Sequence, residues 1–161
     1  MVQVTRPLTQ APDVTVTTEM IPVARIIAFK KAPRKGPEGA LLVNHRVIRD
    51  EKKDRELAED IHANGLSQAI GVAPLPKDLK KDLKLDADYF VVWGGRRFEA
   101  CQVGIPDLLR GDLDPETKKR RDLERGWELP KKPAPTVIEA KVIHSEDPIQ
   151  VSAIGYRENG L

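Results

Sequence analysis

The chain has 161 residues, 40% of them hydrophobic and 4% aromatic, which suits one domain with a modest core and leaves residues over for loops or tails. Its 27 basic and 25 acidic groups leave a net charge of +2, which excludes the strong basic face that bulk nucleic-acid binding needs. A lone cysteine, Cys101, excludes an intramolecular disulfide and a cysteine-built zinc site; His45, His62 and His144 lack metal-ligand spacing. No apolar run reaches the roughly 20 residues of a membrane span, and no secretory pattern opens the chain, so a cytoplasmic protein with no membrane partner is expected.

Residues 1–18 contain Thr, Val and Pro without a period and read as a flexible tail. Ile21 to Phe29 is apolar and β-branched and reads as a first strand, with Pro22 at its start where a missing N–H is tolerated. Lys30 to Gly39 carries two prolines, two glycines and four basic residues, the composition of an exposed loop. Asp50 to Ala63 reads as a helix: Leu57, Ala58 and Ile61 share one face, Glu51–Arg55 and Arg55–Glu59 are spaced for ion pairs on the other, and Asn64-Gly65 supplies a stop. Ala69 to Leu75 reads as a short strand and Lys77 to Asp88 as a charged loop with room for one helical turn.

Tyr89-Phe90-Val91-Val92-Trp93 is the strongest strand signal, built of aromatic and β-branched residues alone. Two glycines follow, then a short helix from Arg96 to Val103, with Phe98 and Cys101 on one face and Gly104 as its stop. Asp107 to Pro135 is charged and proline-bearing and reads as an inserted segment, with a helix from about Pro115 to Arg125. Thr136 to Ile143 reads as a strand, and Asp147 or Pro148 opens a last helix. The mixture predicts an α+β domain, a small mixed sheet flanked by helices.

The sharpest chemical feature is Trp93-Gly94-Gly95-Arg96-Arg97-Phe98. A helix start presents N–H groups without helical partners at the positive end of the peptide dipoles, so an anion belongs there. Glycines permit unusual backbone angles and leave no Cβ in the way of a phosphate. Arg96 and Arg97 add forked donors suited to phosphate oxygens. The plainer alternative is a tight turn followed by a solvated arginine pair.

Three neighbouring segments, together with the turn itself, bear on that choice. Ile21-Pro22-Val23-Ala24-Arg25-Ile26, then Leu57-Ala58-Glu59-Asp60-Ile61 with Asn64-Gly65-Leu66-Ser67-Gln68-Ala69-Ile70, then Phe90 through Ala100, and finally Arg157-Glu158-Asn159 stand in an order and spacing that resembles the ParB/sulfiredoxin superfamily. They look like its opening strand, its "LAxSIxxxGLxQPI" segment, its "YxIVAGERRxRA" turn and the start of its "ENxxR" motif. The resemblance covers about Glu19 to Asn159 and so implies a nucleotide-binding domain over 19–161 with an insertion at about 107–135. Sulfiredoxins carry a cysteine inside the turn, where this chain has Arg96-Arg97; the ParB branch is the better match, and Cys101 reads as a buried small residue.

The ParB likeness implies a switch domain that binds CTP with Mg2+ and slowly hydrolyses it, dimerising in response, in chromosome or plasmid segregation or in an adaptor of the PadC type. ParA- or ParB-type or scaffold proteins would be its partners. Gly94, Gly95, Arg96 and Arg97 would hold the triphosphate, and Arg46 would add a phosphate contact from the opposite wall. Gln68 matches a glutamine near the nucleotide, Asn159 the magnesium-coordinating asparagine, and Glu158 an acid implicated in hydrolysis. Trp93 stands where the family has a small residue and either stacks on the ligand or fills the core, with the core favoured.

Departures from the pattern matter too. Gly95 replaces the glutamate of "GERR", which predicts binding with weak turnover. The chain stops two residues after Asn159, which reads as an end inside a motif and hence as truncation, and no helix-turn-helix region follows, so no sequence-specific DNA binding is expected. Two other functions stay open: a ParB-like DNA-binding or nuclease domain, whose arginines hold a DNA phosphate, and a protein-interaction module whose site is dead.

Overall fold

The computed structural model describes residues 4–5, 14–43, 50–110 and 133–158. Six strands form one mixed sheet: β1 (Val4–Thr5), β2 (Thr15–Pro22), β3 (Ile26–Ile27), β4 (Ile70–Pro74), β5 (Tyr89–Trp93) and β6 (Val137–His144), in the order β1-β2-β6-β4-β5-β3. β4 runs parallel to β6 and β3 parallel to β5, while the other pairs are antiparallel. This is the expected α+β arrangement.

Residues 15–18 are not tail: β2 pairs with β6 along its whole length, from Thr15 opposite His144 to Pro22 opposite Val137. Val16 and Thr17 are buried. The alternation of Thr and Val suits a pleated, half-buried surface, but threonine makes it look polar. The strand expected over Ile21 to Phe29 is in fact two. Pro22 closes β2 rather than opening a strand, a 3-10 turn follows at Val23–Arg25, and β3 joins the opposite edge of the sheet. Val23 N–H donates to the Thr136 carbonyl at 2.8 Å, which pins the exit from β2 beside the entry to β6.

Helices cover both faces. On one face, Ile70, Val72, Val91, Ala140 and Val142 pack under α2 (Glu51–Asn64) and under a continuous helical run. That run comprises α4 (Gly95–Glu99), a π-helical turn (Ala100–Gly104) and α5 (Ile105–Arg110). α2 starts where Asp50 accepts from the Lys52 and Lys53 N–H groups, at 3.1 and 3.2 Å, and ends at Gly65 with φ +80°. On the other face, Phe90, Val92, Trp93 and Ile143 pack with Leu79 of α3 (Lys77–Asp82) and with Val151 and Ile154 of α6 (Pro148–Glu158). Short helix α1 (Pro37–Leu41) forms at the end of the segment expected to be loop.

Gly104 does not stop its helix. The run continues to Arg110 because Ile105 is fully buried and Leu108 nearly so. A Cβ at Gly104 would stand 3.0 Å from Ala58 Cβ. The glycine is there for close approach of α2, not for termination. Residues 107–110 therefore extend this helix, and the rest of the inserted segment, including the helix expected at 115–125, lies outside the described residues.

Candidate functional site

Strand β5 ends in the core and the chain turns at once. Gly94 adopts φ +78°, ψ +30°, the left-handed region that costs an L side chain roughly 1 kcal/mol or more. A Cβ at Gly94 would also meet Arg97 Nη2 and Ile70 Cγ2, both at 3.1 Å. From that turn α4 begins, with the Gly94 carbonyl accepting from Phe98 N–H at 2.9 Å. Gly95 is buried and Phe98 is fully buried, so the helix start is anchored in the core although its first turn faces outward. Its first-turn side chains are cations, the wrong sign for the helix dipole and the right sign for an incoming anion.

The two arginines diverge. Arg97 is half-buried and its Nη1 donates to both oxygens of Gln68, the carbonyl at 3.2 Å and Oε1 at 2.9 Å. Burial pushes the Arg97 pKa down, and the negative charge of Glu158 pulls it back up. The cation stays charged but is short of solvation. Arg96 turns the other way, its Nε donating to Asp54 Oδ1 on α2 at 3.1 Å. Thus Gln68, Arg97, Gly94 and Glu158 gather in one region, and Arg96 is tied to the neighbouring helix.

Trp93 is 4% exposed and lies against Gly71, where a Cβ would stand 2.2 Å from its ring. It is core beneath the turn rather than part of the open surface. Arg46 and Asn159 lie outside the described residues. Cys101 is buried, and burial pushes its thiol up to about 11, which leaves a packing residue rather than a nucleophile. Sequence reasoning missed Asp54. It is an ordinary first-turn helix acid whose partner lies 42 positions away, and no local pattern announces such a pair. Among the described residues, no group of three or more His, Cys, Asp or Glu is placed to hold a metal ion, and no helix is long and apolar enough to cross a membrane.

No protein-family model and no curated protein matches the chain. Among solved structures, it is similar to the C-terminally truncated chromosome-partitioning protein ParB from Caulobacter crescentus, complexed with CTP-γ-S. The identity is 18% and the TM-score 0.50, over 89% of this chain and 52% of that one. The chain therefore spans about half the length of that structure, and at this identity the likeness establishes a ParB-like fold.

Proposed function

We propose that this chain is a nucleotide-binding switch domain that takes CTP as its magnesium complex at the Gly94–Arg97 turn. The observation that carries the reading is the meeting of a left-handed N-cap glycine, which brings no side-chain cap, and a poorly solvated arginine at one spot. Each feature alone is common; together they make a positive turn suited to phosphate. The ParB-like fold and the CTP analogue in its solved relative support a nucleoside triphosphate over a simple anion.

In this reading the backbone of Gly94 and Gly95 approaches the phosphates, and Arg97 neutralises them. Gln68 holds the Arg97 fork in place, through contacts to its Nη1, and the resemblance assigns Arg46 a further phosphate contact. Magnesium prefers oxygen ligands and keeps several waters, so phosphate oxygens with one or two protein oxygens satisfy it. Glu158 and Asn159 supply the right donor types for a cation that arrives with the nucleotide. Glu158, within electrostatic reach of Arg97, is the residue to orient water for slow hydrolysis, a step that needs charge neutralisation and a positioned water. With Gly95 where relatives of this type carry glutamate, turnover is slow or absent. Nucleotide-dependent pairing of two chains, and a partner in DNA segregation or an adaptor role, complete the proposal.

Crystallisation with CTP and magnesium tests it. Density for the triphosphate is expected beside Gly95 and Arg97; nucleotide bound elsewhere, or no nucleotide, would overturn the reading.

A further inference from the structure

Both arginines of the turn are held by the chain's own oxygens, but on different terms. Arg97 already lies over the turn, its Nη2 and Nε 3.1 and 3.3 Å from where a Gly94 Cβ would be, and it can meet a phosphate there without leaving Gln68. Arg96 is bound to a full carboxylate on another helix. That carboxylate has its own reason to be there: Asp54 sits in the first turn of α2, where a negative charge is favoured by the helix dipole. Arg96, in the first turn of α4, is disfavoured by its own helix dipole until an anion arrives. The pair is also partly open to water, with side chains 46% and 26% exposed, and such pairs are weak enough to exchange.

We infer that Asp54 gates the phosphate site: it is a surrogate anion that holds Arg96 on α2 and yields it when a polyphosphate binds to the turn. The inference rests on the anion-binding reading of that turn and adds a competitor to it. Asp54 is a positioning residue, acting through Arg96 and not on the ligand. It sets affinity in the direction opposite to the two arginines. Because the exchange joins the first turns of α2 and α4, ligand binding also loosens the tie between those helices.

The test is calorimetric titration of sodium tripolyphosphate, and separately of CTP with magnesium, into the wild-type chain, D54N, R96A and the double variant D54N/R96A. Removing a partly exposed competitor of this kind is expected to tighten tripolyphosphate binding about fivefold in D54N. The gain disappears when D54N is made in the R96A background, because no Arg96 remains to be released. Equal or weaker binding by D54N overturns the inference. So does the same gain in the R96A background, which would make Asp54 a through-space repeller, and so does a failure of every variant to bind tripolyphosphate. The CTP arm separates the two readings: a fivefold gain for tripolyphosphate with no CTP binding by any variant would keep the gate and remove the nucleotide.

Discussion

Two ends of one helical run meet the same neighbour by different means. At its start, α4 reaches α2 through the Arg96–Asp54 ion pair. One turn and more further on, the π-helical segment reaches α2 through Gly104, which lets Ala58 come into contact, with Phe98, Cys101 and Ile105 buried around it. The first contact is polar and partly exposed, and an incoming anion can replace it. The second is apolar and dry, and nothing from solvent substitutes for it. The buried contact fixes the turn in place, while the exposed ion pair leaves Arg96 exchangeable. Position is set by the buried end; under the proposed function, affinity for ligand is set by the open one.

The largest effect is expected at Phe98. Because its side chain is fully buried, Phe98→Ala should cost about 3 to 5 kcal/mol in chemical denaturation. A loss below about 1 kcal/mol would mean that the run is not anchored where the core places it. Next is pH. Cys101 is an acid whose folded value rises from the usual 9.0 to about 11, so its neutral form is favoured in the fold. Its contribution is complete below pH 9 and is lost as pH rises through 11, about 2 to 3 kcal/mol at most. Wild type should therefore lose stability relative to Cys101→Ala across that window, and parallel curves would contradict a dry environment.

Gly104→Val follows, at about 2 kcal/mol of overpacking against Ala58, with anion binding at the turn weakened only through tilt of the helix. The smallest stability effect belongs to the open end. Arg97→Ala should change stability by less than about 0.5 kcal/mol, since it removes a poorly solvated cation along with two hydrogen bonds, yet it should abolish nucleotide binding. A large loss of stability in Arg97→Ala would blur the two ends into one structural unit.

Much of this division is legible in the residues. The run Tyr89–Trp93 states its strand by composition, and Gly94-Gly95 followed by two arginines states the turn. Asp50 with its periodic apolar face states α2, down to the Gly65 stop. Other features are silent because they depend on distant partners. Thr15 to Thr18 look polar until β6 covers one side of them. Gly104 looks like a helix stop, since the same residue type serves termination and close packing, and only Ala58 decides which. Pro22 marks a strand boundary but not which side of it the strand lies on. In the site, Gln68 and Glu158 stand out through the resemblance of the segments that hold them, whereas Asp54 acquires meaning only once α2 and α4 lie side by side. Trp93, open to two readings in the sequence, packs in the core against Gly71, whose missing side chain makes room for the ring.

Under the proposed function, the Gly94–Arg97 turn holds a nucleoside triphosphate. Isothermal titration of the wild-type chain and of Arg97→Ala with CTP, UTP, ATP and GTP, each with magnesium, tests it most directly. Saturable heat is expected for wild type with CTP, smaller or no heat with the other three, and none with Arg97→Ala. Equal and negligible heats for all four nucleotides with the wild-type chain would contradict it.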